Sequence, residues 1–264
     1  MTPPLMRTVS VNGLRIACAT AGAGSPAVCL VHGTGGSSAV WAHQLESLAD
    51  LAHVVAVDLP GHGRSDGNIP QRIEDAAAVV ADVLEALRIG QVVIGGHSMG
   101  GAIAQQFALT YPDRVDGLIL VGTGARLRVL ARLLELLARD TAKGVDLLMS
   151  LAIGPKAPAD LRMALHRSTA DNPPGVVFGD LRACEVFDVM NRISTVDAPT
   201  LVICGEEDQL TPPKYSRFLG DHIAGARVVV VAGAGHYVQV EQPDETTAAM
   251  REFLVRLRHR ERPA

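Results

Sequence analysis

Six short apolar runs set the limits on how this chain folds: "AVCLV" (27–31), "HVVAV" (53–57), "QVVIG" (91–95), "GLILV" (117–121), "TLVIC" (200–204) and "RVVVV" (227–231). Each has the length of a strand and is rich in β-branched residues. Each is also apolar throughout. A strand with one face in water alternates apolar with polar residues, whereas a continuous run needs cover on both faces, as inside a parallel sheet flanked by helices. Helical patterns separate the runs, for example "IEDAAAVVADVLEALR", with apolar positions three and four apart. This alternation predicts a doubly wound α/β sheet. Two further strand-like segments, "RTVSV" and "LRIACAT", are joined by the turn signal Asn12-Gly13 and predict an antiparallel hairpin at its start.

The alternation fails once, between Val121 and Thr200, where no strand is convincing. "RLRVLARLLELLARD" puts Leu127, Leu130, Leu134 and Leu137 on one helical face. "APADLRMALHRST" carries Asp160 as a first-turn acid or cap, "DNPPG" breaks the chain, and "VFGDLRACEVFDVMNRI" resumes helical spacing. The expectation is a helical insertion over the carboxyl edge of the sheet. It divides the chain into a core (1–124), an inserted helical cap (125–195) and the rest of the core (196–264).

The bulk properties narrow the function classes. The 264 residues suffice for a sizeable core, and 48% hydrophobic with 20% charged residues is ordinary for a globular protein. A net charge of −4 offers no electrostatic footprint for nucleic acid or an anionic membrane. No apolar run approaches the ~20 residues of a membrane span, and "MTPPLMRTVSVNG" lacks the basic start and apolar stretch of a signal peptide. Cys18, Cys29, Cys184 and Cys204 show no metal-ligand spacing, and Cys29 and Cys204 fall inside strands as small core hydrophobes. A reducing cytoplasm is the expected home.

Chemistry concentrates at "GGHSMGG" (95–101), where a buried strand hands over to the helix "AIAQQFALTYP". Ligands of open α/β sheets bind outside such carboxyl ends. Gly96-His97-Ser98-Met99-Gly100 fits G-x-S-x-G, a sharp turn that presents an exposed serine in a strained conformation. Side chains at Gly96 and Gly100 would collide as the backbones close, and the helix that follows points its positive end at the serine.

A serine hydroxyl needs a base, itself oriented by a third group. Of nine histidines, four follow Ser98. His236 ("VVVVAGAGHYVQVEQP") sits just past a strong strand in a glycine-containing loop at the active edge. His166, His222 and His259 read as surface residues. "TLVICGEEDQLTPP" supplies Glu206, Glu207 and Asp208; Asp208 is favoured, being last before a Pro-marked turn, with Glu207 in reserve. The order Ser98, Asp208, His236 is that of a hydrolytic triad. "LVHGTGGSS" places Gly33, Thr34, Gly35 and Gly36 beside the serine, so the N–H groups of Thr34 and Met99 are the expected oxyanion donors. Gly33 and Tyr237 are expected to contact substrate.

Taken together, "HGTGG" (32–36), "DLPGHGRSD" (58–66), "GHSMGG" (96–101), "GEEDQLTPP" (205–213) and "GAGHYVQVEQP" (233–243) resemble the α/β-hydrolase superfamily, in its order. The resemblance covers the chain outside the insertion. It implies a mostly parallel eight-stranded sheet with one antiparallel strand, helices on both faces, and a helical cap after the sixth strand. It supports Asp208 and His236 in their roles, and makes His62 and Arg64 scaffold rather than catalyst.

Within that superfamily, haloalkane dehalogenases and epoxide hydrolases carry aspartate where this chain has Ser98. Carbon–carbon-bond hydrolases of ring-cleavage pathways carry H-G-x-G-P-G and a tryptophan after the histidine, where this chain has "HGTGG" and Tyr237. The expectation is therefore a serine carboxylesterase acting on small to medium, mainly apolar esters, without metal or organic cofactor. A lactonase, a carbon–carbon hydrolase, a cofactor-free perhydrolase or a slowly hydrolysing small-molecule receptor are the alternatives. Partners beyond the substrate, and the oligomeric state, leave no trace in the sequence.

Overall fold

The computed structural model describes residues 4–260. Its strands are β1 (Leu5–Val11), β2 (Leu14–Ala21), β3 (Ala27–Val31), β4 (His53–Val57), β5 (Val92–His97), β6 (Val115–Val121), β7 (Thr200–Gly205) and β8 (Arg227–Val231). They form one sheet in the order β1-β2-β4-β3-β5-β6-β7-β8. β2 is antiparallel to both of its neighbours and every other pair is parallel. Asn12 and Gly13, both with positive φ (50° and 82°), make the tight β1–β2 turn.

Helices α1 (Ala42–Leu48), α2 (Ile73–Ala86) and α3 (Met99–Thr110) follow β3, β4 and β5. Four helices lie between β6 and β7: α4 (Ala131–Arg139), α5 (Thr141–Ala152), α6 (Ala159–Ala170) and α7 (Val176–Glu185). α8 (Pro213–His222) follows β7, and α9 (Val238–Glu241) and α10 (Pro243–Arg260) follow β8. Among the described residues no helix is long and apolar enough to cross a membrane.

Successive strand residues feed opposite faces. Ile94, Leu118, Leu120 and Val202 pack with α2, α3 and α8, while Val93, Ile119, Val121 and Ile203 pack with Trp41, α1 and α10. Full burial of such a side chain stabilises the fold by about 1.5–3 kcal/mol, so the strands are held more firmly than the loops they carry. The order reverses at β3, with β4 on one side and β5 on the other. That reversal opens a crevice at the carboxyl ends of β3 and β5, where the "HGTGG" and "GHSMGG" segments meet.

Three expectations need correction. Leu127 and Leu130 do not share a helical face with Leu134 and Leu137, because α4 begins only at Ala131. Arg126 makes an antiparallel bridge to Asp188, which holds the preceding chain extended and leaves Leu130 exposed. The helical pattern of "VFGDLRACEVFDVMNRI" stops at Glu185 for the same reason: Asp188 belongs to that bridge. Finally, the continuous run of β8 is not covered on both faces. It is an edge strand, and Val230 is 42% exposed.

Candidate active site

Ser98 stands alone between β5 and α3. The strand runs through His97 and the helix starts at Met99. Ser98 takes φ 54° and ψ −115°, a conformation that costs on the order of 1–3 kcal/mol and persists only where its surroundings impose it. They do so here. The Ser98 N–H donates to the Val121 carbonyl (2.9 Å), and the Ser98 carbonyl accepts from Gly101 N–H (2.9 Å) and Thr123 Oγ1 (2.8 Å). Close packing explains the glycines. A Cβ on Gly96 would lie 2.1 Å from the Gly100 carbonyl oxygen, and one on Gly100 would lie 2.2 Å from that of Val31. The Met99 N–H belongs to the first turn of α3, where N–H groups lack intrahelical acceptors.

His236 follows β8 in a buried loop and donates from Nδ1 to Asp208 Oδ2 at 2.8 Å. That contact orients the ring and leaves Nε2 as the nitrogen on offer to the cavity. Asp208, beyond β7, also accepts from Leu210 N–H (2.9 Å), Thr211 N–H (2.8 Å) and Thr211 Oγ1 (2.8 Å). Burial alone would raise its pKa, but the His236 charge and these hydrogen bonds outweigh burial and bring it down to about 2. Glu207 faces Lys156 instead, at 3.6 Å.

Two further groups fix the His236 loop. His97 Nε2–H donates to the His236 carbonyl (2.9 Å), and its ring packs against those of His236 and Tyr237, with centroids 4.7 and 4.9 Å away. Burial, reinforced by the neighbouring His236 charge, holds its pKa well below the usual histidine value, so the ring is neutral. Glu241 accepts from the N–H groups of Gly154 (2.9 Å), Gly235 (3.0 Å) and Tyr237 (3.0 Å). It thus ties both sides of His236 to the end of α5, and the His236 N–H itself donates to the Ala152 carbonyl (2.7 Å).

After β3, residues 33–36 close a turn in which Gly36 N–H donates to the Gly33 carbonyl (3.0 Å). The same carbonyl accepts from His32 Nδ1–H (2.8 Å), while His32 Nε2 accepts from Leu59 N–H (3.1 Å). Burial first, then the nearby His62, bring the His32 pKa down to about 4, which fits this neutral tautomer. Gly33 lies directly beside Ser98 and His97, where a Cβ would sit 3.1 Å from Ser98 Cβ.

Thr34, Ser98, His236 and Tyr237 line one cavity with His97, Leu148, Ala152, Leu181 and Leu210. Its volume is about 30 Å³, room for one or two waters. The aliphatic wall comes largely from α5 and α7, whose leucines join a third hydrophobic cluster that includes Tyr237. His166 Nε2 lies 2.7 Å from Asp146 Oδ1 near the surface, and His222 and His259 are exposed.

Sequence reasoning missed Thr211, Asn172, Asp180 and Glu241, and left His97 without a role. The three-residue spacing of Asp208 and Thr211 fits a carboxylate that closes its own turn, and could have found Thr211. Asp180 had no such signal, because its partners are Gly35 and His62.

A profile for the alpha/beta hydrolase fold matches residues 26–243. The chain is 34% identical to a thermophilic esterase of known structure, with a TM-score of 0.88 over 96% of this chain and 98% of that one. It is 28% identical to an N-acyl homoserine lactone degrading enzyme, with a TM-score of 0.84 over 94% of this chain and all of the other (100%). The 2-hydroxy-6-oxononadienedioate/2-hydroxy-6-oxononatrienedioate hydrolase of Burkholderia vietnamiensis is 30% identical over 266 residues, 92% of either chain.

Proposed function

The chain belongs to the alpha/beta hydrolase fold family, and within it we propose that the protein is a serine hydrolase of carboxylic esters. The observation that carries this reading is the 2.8 Å hydrogen bond from His236 Nδ1 to Asp208 Oδ2, in a ring that lines the same cavity as Ser98. Similarity to a thermophilic esterase supports the substrate class.

In the proposed mechanism Ser98 Oγ attacks the ester carbonyl as His236 Nε2 takes its proton. Asp208 keeps the imidazole oriented and stabilises the imidazolium. The N–H groups of Thr34 and Met99 bind the oxyanion, an interaction worth about a hundred- to a thousandfold in rate per donor. His236 then protonates the leaving alcohol, and the acyl group stays on Ser98. Water, activated by His236, releases the acid and restores the serine. No step calls on a metal or organic cofactor.

Residues 125–195 act as a cap in this reading, and Leu148, Ala152 and Leu181 from it, with Leu210 and Tyr237, form an apolar acyl site. A cavity of about 30 Å³ is smaller than an ester, so in this reading α5 and α7 move outward to admit substrate and settle again around it. Small to medium acyl chains fit such a wall best. The lactone-degrading relative makes cyclic esters a second substrate class. Four buried, unpaired cysteines support a reducing compartment such as the cytoplasm.

The test is a panel of p-nitrophenyl esters, lactones and vinylogous diketones, with Ser98→Ala as the blank. Ester turnover that falls with increasing acyl length and vanishes in Ser98→Ala supports the proposal; equal rates in the two proteins contradict it.

A further inference from the structure

Resting on the serine-hydrolase reading, we propose that Asp180, on the inserted helix α7, is a positioning residue for the oxyanion turn and makes hydrolysis conditional on the seating of the cap. Asp180 is 1% exposed and makes no contact with Ser98, Asp208 or His236 among its hydrogen bonds. Its Oδ2 accepts from the Gly35 N–H at 2.8 Å and faces His62 Nε2 at 2.9 Å. His62 Nδ1 faces the Pro60 carbonyl at 3.1 Å. Both ring nitrogens therefore face oxygens that can accept, an arrangement that favours the doubly protonated ring beside the carboxylate. Burial alone would push the His62 pKa down, but the Asp180 hydrogen bond and charge raise it above the ordinary value.

Two hydrogen bonds bind the turn to the insertion: Gly35 N–H donates to Asp180 Oδ2 at 2.8 Å, and the Gly35 carbonyl accepts from Asn172 Nδ2 at 2.7 Å. Gly35 has φ +58°, and a Cβ there would meet Val177 of α7 at 3.0 Å. The turn is thus shaped against this helix.

The two peptide units around Thr34 have different anchors. The Gly33–Thr34 unit is held from the core, because its carbonyl accepts from Gly36 N–H and His32 Nδ1–H. Planarity then aims the Thr34 N–H to the opposite side. The Thr34–Gly35 unit is held from the insertion, because its N–H donates to Asp180 Oδ2. Lifting the insertion removes both partners of Gly35, the Asp180 acceptor of its N–H and the Asn172 donor to its carbonyl, so the turn that carries the Thr34 N–H loses its outer support and shifts as a whole. Because substrate displaces the cap on entry, the turn regains its outer support only when α7 settles again around the bound ester, and the oxyanion donor is aimed from then on.

The experiment compares wild type with Asp180→Ala, Asp180→Asn and Asn172→Ala. The readouts are p-nitrophenyl ester kinetics, inhibition by an alkylboronic acid, and the rate of Ser98 labelling by a fluorophosphonate. Asp180→Ala is expected to lower kcat by about ten- to a hundredfold, a fraction of the loss of a whole donor, with KM within about threefold. Boronic acid affinity and labelling rate should fall in parallel, because both adducts place a negative oxygen in the same site. Asp180→Asn keeps an acceptor for Gly35 and recovers most of kcat. Should Asp180→Ala fail to fold, Asn172→Ala reads the same turn, with a smaller kcat loss at unchanged KM. Unchanged kcat and labelling in folded Asp180→Ala, or an effect on KM alone, overturns the proposal. A wild type that labels but hydrolyses no ester overturns the ester reading alone, and the labelling rates still judge Asp180.

Discussion

His97 and His236 are locked together through the backbone of one and the ring of the other: His97 Nε2–H donates to the His236 carbonyl at 2.9 Å in a fully buried setting. The neutral imidazole of His97 is therefore a fixed donor beneath the proposed base. His97→Phe keeps the ring packing and orphans that carbonyl, at a cost of about 1–3 kcal/mol. Urea unfolding should report that loss, and kcat should fall several-fold as the His236 loop loosens.

Glu241 holds the same loop from the other side, with three backbone N–H donors on one carboxylate. Glu241→Gln replaces one accepting oxygen by an NH₂ group that confronts an N–H. Hydrogen bonds to a charged acceptor are worth about 1.5–3 kcal/mol, so a loss of that order is expected by denaturant titration. Because the bonds flank His236, kcat should drop while KM changes little.

Asp208 links the site to acid stability. Its pKa falls from 3.8 to about 2 on folding, so its contribution is fully present above pH 3.8 and disappears as pH drops through 2. A shift of this size amounts to about 2 kcal/mol. Urea titrations should show the wild type losing that much between pH 5 and pH 2 beyond the loss in Asp208→Asn. Parallel pH dependence in the two proteins would contradict the assignment of Asp208 as an ionised, hydrogen-bonded carboxylate.

Gly100 tests the elbow itself. A Cβ there would sit 2.2 Å from the Val31 carbonyl oxygen and 2.6 Å from that of His32. Both are backbone atoms of the central strand region, which cannot swing aside as a side chain would. Gly100→Ala should thus cost more than the about 1–3 kcal/mol of ordinary overpacking, read as a large drop in thermal midpoint or loss of soluble protein. Near-native stability would mean that α3 approaches β3 less closely.

Much of this was readable in the chain because it is local. The six apolar runs fall on six strands, since each is short and bounded by turn residues. Ser98 was legible from its glycines, which answer to contacts within five residues or across one strand pair. The "RVVVV" run misled about burial, because periodicity reports side-chain chemistry and says nothing of a strand's place in the sheet order. "RLRVLARLLELLARD" misled about where α4 starts, because an extended bridge between Arg126 and Asp188 overrides helix propensity there. Asp180 was invisible for the plainest reason: its bonds to Gly35 and His62 span 145 and 118 residues, and a lone acid in a helical stretch carries no mark of such partners.

The central claim is that Ser98 is a nucleophile activated by His236. Reaction with a fluorophosphonate, followed by intact-mass analysis and peptide mapping, tests it without knowledge of the natural substrate. One label per chain should appear on the peptide bearing Ser98, be absent from Ser98→Ala, and form at least about a thousandfold more slowly in His236→Ala. A folded wild type that takes no label, takes it elsewhere, or reacts as fast without His236 would contradict the account.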